Sequence, residues 1–116
     1  MKSYIGILLL IFLSACQRGY FSIEMENKTS SEIKDVKVDW GSIPIERPFF
    51  IPSQSRSVQN IPQLPPKELV ISWESPSGKH SITTNISKTV PPMSQGTIHV
   101  IFEEGDKVAV KYRPPL

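Results

Sequence analysis

Proline does most to limit what this chain can fold into, since 11 of its 116 residues are proline. They separate short apolar segments and stand at Pro44, Pro48, Pro52, Pro62, Pro65, Pro66, Pro76, Pro91, Pro92, Pro114 and Pro115. Because proline lacks a backbone N–H and has a fixed φ angle, it is excluded from helix interiors and central strands. The prolines therefore mark boundaries between apolar segments, and no amphipathic helical segment of useful length follows residue 20.

Between the prolines, apolar and polar residues alternate along the chain with a period of two. This alternation is typical of strands that bury one face, and it is clearest in Phe21–Met25, Val36–Trp40, Leu69–Trp73, Ile98–Phe102 and Val108–Tyr112. The turn Glu104-Gly105-Asp106 predicts a tight hairpin between Thr97–Glu103 and Lys107–Arg113, and Ser53–Val58 has the pattern of an edge strand. About seven or eight such strands predict an all-β chain, folded as a single small antiparallel β-sandwich.

The segment from residue 42 to residue 66 alternates less regularly, and two interpretations of its apolar residues stay open. Prolines on an edge strand prevent pairing with another chain, so the segment could serve only to protect a sheet edge. Alternatively, Phe49 and Phe50 are partly exposed and form a docking surface, because aromatic anchors dominate interface energetics. If that surface exists, we expect Arg47, Phe49, Phe50 and Arg56 to contact a protein partner.

The tryptophans and histidines allow both a structural and a functional interpretation. Trp40 and Trp73 fall on inward-facing strand positions and are predicted to meet in the core, although they could instead form an aromatic ligand platform. His80 and His99 fall on the polar faces of their strands. If those strands pair, the two rings and a nearby carboxylate could hold a metal, but we expect both to be surface residues and expect no metal site.

Charge and cysteine content exclude several classes of function. The chain has 13 basic and 11 acidic residues, and this near balance gives no electrostatic reason to bind nucleic acid or an anionic membrane surface. Its single cysteine, Cys16, excludes an intrachain disulfide and a thiolate zinc site. Stability must therefore come from one modest apolar core.

The first sixteen residues have the layout of a secretory signal peptide. Lys2 precedes an apolar run from Ile5 to Leu13, and small residues follow. The run is too short to cross a membrane, which takes about 20 apolar residues. The closing residues Leu13-Ser14-Ala15-Cys16 resemble the lipobox of bacterial lipoproteins. The resemblance implies cleavage before Cys16 and acylation of its sulfur and amino group.

A lipobox also implies where the domain lies and how it is held there. Several acyl chains anchor a protein firmly to a bilayer, whereas one chain binds only marginally. Because Gln17 rather than aspartate follows the cysteine, the resemblance favours the outer membrane over the inner one, with the domain facing the periplasm. The expected organisation is a signal peptide (1–15), an acylated tether (16–19), a β-sandwich (20–113) and a Pro-rich tail (114–116).

The sequence contains no recognisable catalytic constellation. An acylated Cys16 cannot act as a nucleophile, and no serine lies in a Gly-x-Ser-x-Gly elbow. No glycine-rich phosphate loop occurs, and the carboxylates are scattered along the polar faces of the predicted strands. We therefore expect a protein without enzyme activity or a cofactor.

These expectations leave binding of another protein as the function. In its small size, its expected compartment and its lipobox, the protein is similar to the small lipoproteins that protect bacteria from type VI secretion effectors of their neighbours. The resemblance implies an immunity protein that binds and inhibits a secreted toxin. The alternative is a structural lipoprotein subunit of a cell-envelope or secretion assembly.

Overall fold

The computed structural model of the protein describes residues 21–41, 43–90 and 95–115, except for the side chain of Asn60. The predicted signal segment and tether, including Cys16, lie outside the described residues. Within the described part of the chain, no helix is long and apolar enough to cross a membrane.

Eight strands form the regular structure of the described residues. They are β1 (Phe21–Asn27), β2 (Ile33–Trp40), β3 (Ile43–Phe50), β4 (Ser55–Ile61), β5 (Glu68–Ser75), β6 (Gly78–Asn85), β7 (Gly96–Glu103) and β8 (Lys107–Arg113). One sheet has the order β4-β1-β7-β8 and the other β3-β2-β5-β6. The predicted all-β sandwich is confirmed, as is the hairpin of β7 and β8. All pairs are antiparallel except β1 and β7, which run parallel.

The two ends of the sandwich bring together different segments of the chain. At one of them, which we call the entry end, β1 begins: Phe21 pairs with Ile61 at the end of β4 and with Gly96 at the start of β7. The opposite one, which we call the far end, is closed by four turns, at residues 28–32, 51–54, 76–77 and 104–106.

Both tryptophans belong to the core, but they lie at opposite ends of it. Trp40 and Trp73 are buried, which confirms their inward-facing positions. The prediction that they meet is wrong, because the antiparallel register of β2 and β5 separates them along the strands. Trp40 packs against Phe21 at the entry end with ring centroids 6.0 Å apart, and Trp73 packs against Phe102 at 5.5 Å near the far end.

Strand β3 is the element that the sequence pattern least suggests. It runs unbroken through Pro44 and Pro48 because it is an edge strand, where a residue without an N–H leaves no partner unsatisfied. The other sheet has β4 at the corresponding edge, which confirms the edge strand predicted at Ser53–Val58 with its limits moved to Ser55–Ile61.

A bulge in β2 explains why the alternation in this strand changes phase. Pairing with β5 shifts between Lys34 and Lys37, and Asp35 between them has a φ of 48°. Aspartate tolerates this left-handed conformation better than most residues. The extra residue allows Ile33 and Val36 to face the core together, although they are three positions apart.

Asn27, at the end of β1, is a fully buried polar residue whose side chain is completely hydrogen-bonded. Its Nδ2 donates to the carbonyl oxygens of Ser31, at 3.0 Å, and of Phe50, at 2.9 Å. Its Oδ1 accepts from the Thr29 backbone N–H at 2.9 Å and from the Thr29 hydroxyl at 2.7 Å. This uses both donors of the amide and both lone pairs of its oxygen.

The backbone of Asn27 adds two more links at the far end. Its N–H donates to the Gln54 carbonyl at 3.0 Å, and its carbonyl accepts from the Ser53 N–H at 2.8 Å. This one residue therefore connects the turn after β1, the end of β3 and the turn before β4. Two strands from each sheet are held together at that point.

Replacing Asn27 by alanine should lower the free energy of unfolding by about 2–4 kcal/mol, since buried carbonyl and N–H groups would lose their partners. Equilibrium unfolding in urea measures this change.

Asn85 provides the matched control. Its Oδ1 accepts from the Ser87 N–H at 2.9 Å, in a local turn similar to that of Asn27, but the Asn85 side chain is exposed. Asn85→Ala should cost less than about 1 kcal/mol, as is usual for exposed positions. Equal losses in the two variants would show that Asn27 has no special role in holding the far end.

Candidate functional site

The apolar residues around the end of β3 divide between the surface and the core. Phe49 is 63% exposed and Ile51 is 53% exposed, whereas Phe50 is fully buried. Phe50 pairs with Ile33 on the inner face, so the preceding side chain must point outward. The expected exposure is confirmed for Phe49 and wrong for Phe50, which packs against Phe102 with ring centroids 6.3 Å apart.

A tight turn fixes the exposed side chains on a rigid part of the fold. The Gln54 N–H donates to the Ile51 carbonyl at 3.2 Å, and the Gln54 side-chain oxygen accepts from the Ile51 N–H at 3.2 Å. Phe50 is in the core, and the Phe50 carbonyl is held by Asn27. Phe49 and Ile51 are thus presented by a backbone that is anchored between them, and we call these two residues the far-end patch.

The two predicted arginines lie elsewhere on the two edge strands. Arg47 pairs with Val36 of β2, and its Nε is buried without a hydrogen-bond partner among the described residues. Arg56 is exposed on β4 and pairs with Met25. The structure therefore removes Phe50 from the predicted surface, whereas Phe49 and Arg56 remain exposed on the two edge strands.

A pocket of about 190 Å³ opens at the far end between the two sheets. Trp73 and Phe102 contribute to its inner wall, and the turns 28–32, 76–77 and 104–106 contribute to its rim. A buried cavity of about 150 Å³ can hold a benzene molecule. The pocket is therefore large enough for one side chain of a docked protein.

Beside this pocket, a polar cluster links the two sheets. The Ser77 hydroxyl donates to Asp106 Oδ2 at 2.7 Å, and His80 Nε2 lies 3.3 Å from Asp106 Oδ1. The same nitrogen lies 2.9 Å from Ser77 Oγ and 3.1 Å from Ser75 Oγ, while the imidazole stacks on Trp73 at 5.3 Å. Hydrogen bonds from the Ser77 and Ser75 hydroxyls, and the neighbouring His80 ring, hold the pKa of Asp106 below its ordinary value.

The residue types of this cluster match a serine hydrolase triad, but their arrangement does not. In a triad the carboxylate accepts a hydrogen bond from Nδ1–H of the histidine, and the serine hydroxyl donates to Nε2. Here Ser77 and Asp106 both approach Nε2 of His80, and the serine proton is directed to the carboxylate. The geometry is that of a clasp between the β5–β6 and β7–β8 turns. The sequence does not suggest the clasp, since its members come from turns of different sheets.

His99 lies on the outer face of the other sheet, away from His80. Its Nε2 is 3.2 Å from Glu26 Oε2 and 4.0 Å from Glu24 Oε1, and Arg113 pairs with Glu24 at 2.7 Å. The strands of the two histidines do not pair, so the alternative of a joint metal site is wrong. Among the described residues, no group of three or more His, Cys, Asp or Glu side chains is placed to hold a metal ion.

Comparison with known proteins supports the fold and no further property. No protein-family model matches the chain, and no curated protein matches it. Among solved structures, the chain is similar to the NMR structure of a protein from Eubacterium rectale, with a TM-score of 0.52 and 15% sequence identity. The match covers 83% of this chain and 90% of that one. At this identity the likeness shows a shared sandwich fold.

The different positions of the two phenylalanines predict opposite effects on stability. Phe50→Ala should lower the free energy of unfolding by about 3–5 kcal/mol, because it leaves a cavity in the core. Phe49→Ala should change it by less than about 1 kcal/mol, as expected for an exposed side chain. Urea unfolding of both variants tests the assignment, and a large loss in Phe49→Ala would place that ring in the core instead.

The clasp predicts that stability depends on pH through Asp106. A carboxyl whose pKa is lowered by folding stabilises the protein above its unfolded pKa of about 3.9, and this contribution is lost as the pH falls through the lowered folded pKa. Asp106→Asn retains a residue that tolerates the φ of 55° at this position. Between about pH 6 and pH 2, the thermal midpoint of the variant should therefore fall less than that of the wild type.

Asp39→Asn, at an exposed position of β2, controls for the change in net charge. If Asp106→Asn and the wild type lose stability in parallel over this range, the clasp does not stabilise the ionised form of Asp106.

Proposed function

We propose that this protein is a lipid-anchored β-sandwich that binds a secreted toxin at its far end and inhibits it. The observation that carries the proposal is the location of Phe49 and Ile51 at the end opposite to Phe21. Cys16, the residue that would carry the acyl chains, lies five positions before Phe21. An anchor at the entry end would direct the far-end patch away from the membrane, where a soluble partner can reach it.

The physical character of the far-end patch also supports a protein partner. Large apolar side chains that are held rigidly contribute strongly to binding because little conformational entropy is lost when they are covered. Phe49 and Ile51 are flanked by the exposed prolines Pro48 and Pro52, so four of the five residues 48–52 present apolar surface and only Phe50 is buried. The adjacent end of the sandwich offers the pocket of about 190 Å³ for a partner side chain.

The proposal is tested with the full-length chain in bacteria that are challenged with the secreted proteins of competing strains. The wild-type chain should protect its host from one toxin and co-purify with it. Phe49→Ala combined with Ile51→Ala should abolish protection and weaken binding by a factor of about 100 or more, because two central apolar anchors are removed.

Val70→Ala is the control, since Val70 is 40% exposed on the outer face of β5, outside the far-end patch. It should bind and protect as the wild type does. Co-purification with several resident envelope proteins and no protection would favour the structural-subunit alternative. Cys16→Ser should lose the acyl chains seen by mass spectrometry of the mature protein, and an unmodified wild-type Cys16 would contradict the anchor.

A further inference from the structure

We propose that the entry end rests on the bilayer and that Leu64 inserts into the membrane interface as a second contact beside the acyl chains. The inference depends on acylation of Cys16, which is part of the proposed function. Three observations support it: the short distance from Cys16 to the sandwich, the position of an exposed leucine, and the charge of the neighbouring loops.

The tether restricts how far the sandwich can stand from the membrane. Acyl chains would hold Cys16 at the bilayer surface, and the chain from there to Phe21 spans five residues. Even fully extended, this segment reaches about 17 Å. A strand of eight residues is about 27 Å long. The entry end must therefore stay near the lipid headgroups, while the far end can stand clear of them.

Leu64 is held at that same end by the fold. Phe21 pairs with Ile61, and Leu64 follows only three residues later, in the connection between β4 and β5. The Trp40 indole N–H donates to the carbonyl of Gln63 at 3.1 Å, which fixes the backbone directly before the leucine. Leu64 is nevertheless 53% exposed. A large apolar side chain is thus presented outward on a backbone that buried Trp40 holds in place.

The loops around Leu64 carry positive charge. The connections at residues 62–67 and 86–90 contain Lys67 and Lys88, and the one exposed acidic residue directly beside them is Glu68 at the start of β5. Both lysines are exposed, and the N–H of Ile86 donates to the carbonyl of Lys67 at 2.9 Å, so the two loops lie side by side. Lysines next to an anionic lipid surface are attracted to it. An apolar residue flanked by lysines is suited to an interface of acyl chains and anionic headgroups.

The other large exposed apolar residues among the described ones lie in different places. Phe49 and Ile51 form the far-end patch, and Val70 lies on the outer face of β5. Among these described residues, Leu64 is the one in a loop at the end where β1 begins, and Phe49 and Ile51 at the opposite end serve as internal comparisons. We expect contact with lipid at this one position.

Fluorescence quenching by brominated lipids tests the contact directly. The full-length acylated chain is reconstituted into vesicles of phosphatidylethanolamine and phosphatidylglycerol, part of which carries bromine on the acyl chains. Leu64→Trp should show blue-shifted emission that the brominated lipid quenches, after subtraction of the signal from the two native tryptophans. Phe49→Trp at the far end is the matched control and should not be quenched.

The outcomes separate this inference from the proposed function. If the chain floats with the vesicles but Leu64→Trp is not quenched, the anchor holds and the sandwich does not touch the bilayer, which overturns the inference. Equal quenching at both positions overturns it too, since the sandwich would then lie on its side. If the wild-type chain purified from bacteria does not float with the vesicles, that result contradicts acylation of Cys16 itself.

Lys67→Glu combined with Lys88→Glu tests the charge contribution. This change should reduce quenching of Leu64→Trp in anionic vesicles, because the loops would be repelled from the headgroups. Lys34→Glu combined with Lys79→Glu changes the charge equally on the strands β2 and β6 and should leave the quenching unchanged. Equal effects of the two pairs would show that overall charge, and not this end of the sandwich, determines the contact.

Discussion

The fully hydrogen-bonded side chain of buried Asn27 is the interaction on which the far end of the sandwich depends. Apolar packing determines that the two sheets face each other, but it is not directional. A buried amide contributes stability only when all its partners are in place, so it selects one arrangement of the turns around it. The position of Phe49 and Ile51 at the surface follows from that selection, because Asn27 holds the carbonyl of the residue between them.

The two ends of the sandwich are stabilised in different ways, and this matches the different roles proposed for them. At the far end, Asn27 and the clasp of His80, Ser77 and Asp106 connect turns from both sheets around a pocket. At the entry end, Trp40 packs against Phe21 and fixes the loop that carries Leu64.

Sequence periodicity predicts which residues of a strand are buried, but it does not predict which strands are neighbours. The hairpin of β7 and β8 is predictable because its turn and both faces are local in sequence. The parallel pairing of β1 with β7, and the separation of Trp40 from Trp73, depend on strand order, which alternation does not encode. Phe49 and Phe50 could not be distinguished because prolines obscure the phase of β3. The clasp was not predicted, since its histidine and carboxylate are 26 positions apart in sequence.

Photo-crosslinking in living cells tests most directly whether the far-end patch is the binding surface that we propose for an anchored protein. A photoreactive amino acid replaces Phe49 in one variant and Val70 in another, both of which are exposed positions. We predict that the variant at position 49 crosslinks to one secreted protein and that the variant at position 70 does not. Equal labelling at both positions, or labelling at position 70 alone, would contradict this assignment of the binding surface.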